Sequence, residues 1–147
     1  MRISQIFAAM SILGMLCCAC DHRSMPESDL VSYEYEEWGS TVSPLKSITL
    51  KSTVTGGVLT YKQNSFAEER TLMVEAEALA EVKAIMKKHR MYKYKTSYSS
   101  RLKVLDGYSW HLRARFEDGT TILSGGSNAG PDKSGFIEVE EYLGNLY

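Results

Sequence analysis

Read from its first residue, the chain opens on an apolar block and only later begins to alternate. Ile6 to Ala19 carries no charge, and charge returns at once with Asp21, His22 and Arg23. After a polar stretch to Asp29, Val31, Tyr33 and Tyr35 fall on one side of an extended chain and Glu34, Glu36 and Trp38 on the other. A period of two marks a half-buried strand. Ser47 to Thr53 is a second β-rich run, with Ile48 and Leu50 facing one way. Thr55-Gly56-Gly57 signals a turn, and Gly57 to Tyr61 returns as a third strand, so these two are expected to form a hairpin. Arg70 to Val74 follows as a fourth strand of a meander.

The period then changes. Glu75 to Arg90 is rich in Ala, Glu, Lys, Leu and Met, and Leu79, Val82 and Met86 recur at three and four, widened by Ala78 and Ile85. That spacing predicts a helix with one apolar stripe, and Lys87, Lys88 and Arg90 complement the dipole at its end. Tyr108 to Glu117 alternates again, with Tyr108, Trp110, Leu112, Ala114 and Phe116 on the apolar face and Ser109, His111, Arg113, Arg115 and Glu117 on the polar one. Asp118-Gly119 turns the chain into a strand over Thr120 to Ser124. A two-residue turn sets Leu123 opposite Ala114; a three-residue loop with a bulge at Gly119 sets Ile122 there. Ser124 to Gly135 reads as a Gly-rich loop with Asp132 or Ser134 as helix cap. Phe136 to Leu146 reads as a short helix packing through Phe136, Val139, Tyr142 (or Leu143) and Leu146. The expected fold is α+β: an antiparallel sheet, built as a meander plus a C-terminal hairpin, packed by one long helix and a short C-terminal helix.

The apolar block at the start is about 14 residues, the length of a signal-peptide core and short of the ~20 needed to span a bilayer. Its end resembles a bacterial lipobox, in which small residues precede a cysteine. Ala19 precedes Cys20, which is the expected acceptor, with Cys18 as the rival. The resemblance departs from the pattern at Cys17, where the family prefers Leu. It implies that the cysteine thiol is diacylated, that the peptide is cut before it, and that the new amine is acylated as well. Each buried methylene contributes roughly 0.8 kcal/mol, so several chains hold where one would not. Residues 1–19 are then a lipoprotein signal peptide, 20–30 the lipidated cysteine and a polar tether, and 31–147 a single α+β domain. The implied address is a bacterial membrane reached by export, the outer ahead of the inner, on its periplasmic or its surface side. Asp21 resembles an inner-membrane retention signal of some lineages, and the choice of membrane stays open.

Composition sharpens what chemistry to expect. Hydrophobic residues make up 44% and charged residues 24% of the 147, ordinary values for one globular core. All three cysteines are Cys17, Cys18 and Cys20, so the 127 residues after them have no internal disulfide, no cysteine zinc site and no thiol nucleophile. Those residues hold 16 basic and 18 acidic side chains, a net charge of about −2 that points away from nucleic acid. His22, His89 and His111 lack metal-ligand spacing, and neither a metal nor a cofactor is expected. Asp106, His111 and Ser124 are the ingredients of a hydrolase triad, but no Gly-x-Ser-x-Gly elbow surrounds Ser124. Gly125 and Gly130 have P-loop spacing, yet Pro131 stands where that motif needs Lys. Lys83 to Lys103 holds eight Lys or Arg and no acidic residue. Within it Lys87, Lys88, Arg90, Lys93 and Lys95 form a candidate contact for anionic lipid or glycan, with Lys93 and Lys95 sharing a face if the run is a strand.

Asp106-Gly107-Tyr108-Ser109-Trp110, Phe116-Glu117-Asp118-Gly119, Gly126-Ser127-Asn128 with Pro131, and Tyr142-Leu143 together resemble a group of small Bacteroidales lipoproteins. The likeness covers roughly the last 45 residues well and the earlier strands loosely. It implies an exported lipoprotein and carries no catalytic residue. The expectation is therefore a membrane-anchored envelope protein with a non-catalytic binding or structural domain, meeting anionic lipid, glycan or another envelope protein. The competing expectation is a small hydrolase using His111 and the Gly-rich loop.

Overall fold

A computed structural model describes residues 24–39, 44–101 and 107–147. Seven strands form one sheet: β1 Leu30–Trp38, β2 Lys46–Thr53, β3 Gly56–Lys62, β4 Arg70–Val74, β5 Tyr98–Ser99, β6 Ser109–Phe116 and β7 Thr121–Ser127. Their order across the sheet is β4-β3-β2-β1-β6-β7-β5. Two helices, α1 Glu77–Lys88 and α2 Ser134–Gly144, cover one face. The fold is α+β as the periodicities required. The meander β1 to β4 and the hairpin β6–β7 meet at β1, which pairs antiparallel with both β2 and β6.

Alternation decides which side chains meet the helices. Tyr33, Tyr35, Ile48, Leu50, Leu59, Trp110, Leu112, Ala114, Phe116 and Ile122 are all buried. The helix stripe Ala78, Leu79, Val82, Ile85 and Met86 is buried in full, and α1 lies against β1, β2 and β3. α2 crosses the other end of the sheet. Its Phe136 stacks on Tyr35 at 4.6 Å and meets Trp110 edge-on at 5.2 Å. Glu140 takes Lys46 Nζ at 2.7 Å and the Tyr61 hydroxyl at 3.2 Å. Trp110 thus packs against Phe136 of the short helix, whereas the alternation of Tyr108 to Phe116 points to the Leu79, Val82 and Met86 stripe of the long one.

Two turns depend on glycine. Thr53 pairs with Gly56 around Val54-Thr55, and a Cβ on Gly56, at φ +152°, would stand 2.5 Å from the Val74 carbonyl oxygen. The β6–β7 loop is the three-residue form. Gly119 has φ +85°, Phe116 N–H donates to Thr120 O at 2.9 Å, and Ala114 faces Ile122. Ile122 is therefore buried and Leu123 is exposed.

Several boundaries differ from the expectation. A bulge at the start of β1 sets Leu30 opposite Phe116 and Ser32 opposite Arg115, so Leu30 takes the core position and Val31 is the extra residue. The tether read over residues 20–30 is packed from Met25 onward. Met25 is buried, and Lys83 Nζ donates to the carbonyls of Glu27 and Ser28, both at 2.7 Å. The signal-peptide and lipobox residues, with Cys18 and Cys20, lie outside the described residues. The run after α1 is no strand: Met91–Lys93 is a 3-10 turn entered through Arg90 at φ 52°. Buried Met91 drives that turn inward, so Lys93 and Lys95 do not share a strand face. The Gly-rich segment begins as strand, since β7 extends to Ser127 and adds the short parallel strand β5.

Candidate functional site

Helices cover one face of the sheet, and most side chains that point the other way are polar, with Met73 and Leu123 exposed among them. Register places them in rows. Thr71, Thr60, Thr49, Glu34, Arg113 and Leu123 lie side by side from β4 to β7. The next row runs Lys62, Ser47, Glu36, His111 and Gly125. Cross-strand neighbours of opposite sign offset one another in such rows. Lys51 Nζ lies 3.5 Å from Glu34 Oε1, and Trp38 Nε1 donates to Glu36 Oε2 at 3.2 Å. Arg113 and Arg115, both exposed on β6, make no ion pair among the described residues.

At the β6–β7 side this face deepens into a cleft of about 790 Å³. Glu34, Glu36, His111 and Arg113 form its polar floor, and Thr96 to Ser99 rise as a wall along β7. Gly125 keeps the floor flat, because a Cβ there would stand 3.0 Å from both His111 Cδ2 and the Trp110 carbonyl oxygen. The wall is held by Gly125 N–H donating to Thr96 O at 3.1 Å and by Ser100 N–H donating to Ser127 O at 3.2 Å. The sequence carried no sign of this wall, since a two-residue parallel strand has no periodicity to read.

The triad ingredients do not assemble here. Ser124 pairs with Leu112 and follows Ile122 on the helix-covered side, where its hydroxyl donates to Lys95 O at 2.6 Å. His111 pairs with Gly125 and points the other way. Asp106 lies outside the described residues. The Gly-rich loop serves the indole of Trp110. Its Nε1–H donates to Ala129 O at 2.8 Å, and a Cβ on Gly126 would stand 2.2 Å from that same oxygen. These glycines are needed for close approach, and the positive φ in the loop belongs to Asn128 at 52°. Asn128 Oδ1 accepts from Tyr108 N–H at 2.9 Å, and Asp132 Oδ1 accepts from Ser134 N–H at 2.8 Å, while the N-cap position of α2 is Lys133 and neither Asp132 nor Ser134.

The basic segment is split by its surroundings. Lys83 is taken by backbone carbonyls and Lys88 by Glu138 at 2.8 Å. Lys93 Nζ stands 5.9 Å from the Tyr92 ring centre. Lys87, Arg90 and Lys95 are exposed and make no ion pair among the described residues. Among the described residues no group of three or more His, Cys, Asp or Glu could hold a metal, and no helix is long and apolar enough to cross a membrane. No protein-family model, curated protein or solved structure matches the chain.

Proposed function

We propose that the chain is the precursor of a lipid-anchored lipoprotein of the bacterial cell envelope, and that its domain presents the open sheet face as a non-catalytic binding surface for an anionic partner. The observation that carries the address is the charge-free run ending at Ala19-Cys20, directly ahead of a domain that begins to pack at Met25. Four residues separate the two cysteine and methionine positions, a reach of at most roughly 17 Å. Acyl chains on Cys20 would then hold the domain against the membrane surface. The likeness of the C-terminal motifs to small Bacteroidales lipoproteins points the same way. The binding reading rests on the cleft and on Arg113 and Arg115, whose charges have no ion-pair partner among the described residues. Lys87, Arg90 and Lys95 are further exposed cations for anionic headgroups or glycan, with Lys87 and Arg90 at the end of α1 on the helix side.

Cell fractionation tests this, combined with mass measurement of the mature N-terminus. Wild type should be membrane-bound and begin at an acylated Cys20, and Cys20→Ser should move to the soluble fraction. A Cys20→Ser protein that stays membrane-bound and uncut would mean that the lipobox reading is wrong, and one that is cut and acylated two residues earlier would name Cys18. Crosslinking in the same cells tests the face. Partners captured by wild type should be lost from the Arg113→Glu, Arg115→Glu double variant.

A further inference from the structure

The helix side of the molecule holds a polar cluster that the open face does not use. His89 closes α1, Ser134 opens α2, and Glu138 lies one turn further along α2. Ser134 Oγ is 3.2 Å from His89 Nδ1, and Glu138 Oε2 is 2.6 Å from His89 Nε2. Lys88 Nζ reaches both Glu138 oxygens at 2.8 Å. The hydrogen bond of Lys88, and after it that of His89, hold the Glu138 carboxyl below the usual carboxylate range. An ionised carboxylate only accepts, so the proton of a neutral His89 ring sits on Nε2. The lone pair of Nδ1 then faces the serine hydroxyl. Nucleophile, base and carboxylate are each within hydrogen-bond reach, as in an acyl-transfer triad, but with the ring nitrogens exchanged: Nδ1 faces the serine and Nε2 the carboxylate.

We propose that Ser134 is an activated nucleophile that accepts acyl groups from small esters, with His89 as general base and Glu138 as the residue that orients it. This goes beyond the binding role of the sheet and does not depend on the membrane address. Ser134 is exposed and the His89 side chain keeps 19% of its surface open, so an acyl donor reaches Oγ directly from solvent. An exposed serine offers no sleeve for a long chain, which suits a short acyl group such as acetyl. Gly135 sets the spacing. A Cβ there would stand 2.9 Å from Met91 Sδ and 3.0 Å from His89 Cβ, so only glycine lets the start of α2 press this closely on the imidazole. The N–H groups of Gly135 and Phe136 lie in the first turn of α2, where no intrahelical carbonyl is available to them. With the helix dipole they are the donors on hand for a developing oxyanion.

The reaction balances without a cofactor. Ser134 Oγ bonds to the ester carbonyl carbon as its proton passes to His89 Nδ1, and the carbonyl π pair moves onto oxygen. The tetrahedral species collapses with loss of the alkoxide, which takes the proton from His89 and leaves as the alcohol. The Ser134 ester is then attacked by water, with His89 again accepting a proton. The carboxylic acid departs and the hydroxyl is restored, for a sum of ester plus water to acid plus alcohol.

The test is covalent labelling of the full-length chain in detergent with a fluorophosphonate, which phosphonylates activated serines with loss of fluoride. Peptide mass mapping should place one adduct on Ser134, absent from Ser134→Ala. Labelling should slow at least about 100-fold in His89→Gln, the range a general base contributes. Ser134→Ala changes an exposed hydroxyl at a helix start and should melt within a few degrees of wild type, so its loss of label cannot be misfolding. If His89→Gln unfolds, Glu138→Gln serves as the second variant, and it too must slow the labelling. Wild type that takes no label, or label that persists in Ser134→Ala or at an unchanged rate in the folded His89 or Glu138 variant, would make the cluster a clamp between two helices and overturn the proposal.

Discussion

Replacing Trp110 by Ala should cost about 3–5 kcal/mol of folding stability, the range for a large buried aromatic truncated in a close-packed core. The structure shows why the upper part of that range applies. Trp110 is 2% exposed and touches three separate pieces of chain. Its ring meets Phe136 of α2 at 5.2 Å and Tyr98 of β5 at 5.8 Å, and its Nε1–H donates to Ala129 O in the loop before α2. Such aromatic pairs contribute about 0.5–1.5 kcal/mol beyond the area they bury. The Ala129 carbonyl left behind adds a lost hydrogen bond of about 1 kcal/mol. Against a total of about 5–15 kcal/mol for a domain, this is about a fifth or more. Urea unfolding followed by far-ultraviolet circular dichroism is the measurement, read as a lower midpoint at an unchanged slope. Trp110→Phe keeps part of the ring packing and should lose less than half as much. A shift of under about 1 kcal/mol for Trp110→Ala would refute the claim that the indole joins sheet, loop and helix.

Tyr33→Phe should raise stability by about 1 kcal/mol, because the Tyr33 hydroxyl is buried without a hydrogen-bond partner among the described residues. A lower urea midpoint would show that the hydroxyl is satisfied in solution. Alkali should unfold the domain through its tyrosines. Burial, aided by Glu140 near Tyr61 and by Asp132 near Tyr94, pushes both phenols up to about 12, and burial drives Tyr33 and Tyr35 higher still. The fold favours the protonated phenols, so their contribution is complete below the ordinary value of 10.0 and is lost as the pH rises from there through about 12. Phenolate absorbance should therefore rise together with the loss of circular dichroism in that window. Titration of every tyrosine near 10 with the fold intact would count against the burial.

The features legible in the sequence were those with a period. The stripe on α1, the alternation of β6 and the β2–β3 hairpin need only local spacing to be seen. What was missed depends on contacts between distant residues. Ser124 marks the end of the strand read from the sequence, with Gly125 and Gly126 read as loop, yet pairing with β6 extends β7 to Ser127, since tertiary contacts override weak strand propensity. Tyr92 and Tyr94 alternate with Lys93 and Lys95 as a strand would, but burial of Met91 closes a 3-10 turn instead. The polar sheet face could be read from the outward residues of β1 and β6. Its wall could not, because two residues of parallel strand leave no pattern. His89, Ser134 and Glu138 come together only because the end of one helix meets the start of another.

The place of β1 has a consequence for how the molecule comes into being. The first strand made is the middle strand of the finished sheet, and one of its two neighbours, β6, follows only after the meander and α1. Until β6 arrives, β1 has an open edge and Tyr33 and Tyr35 lack the Ala114 and Leu112 that flank them. Joining strands so far apart in the chain carries a loop-closure cost and slows folding. The contacts that close the sheet around β1 thus come from the last third of the polypeptide, and a chain cut short before β6 keeps that central edge open.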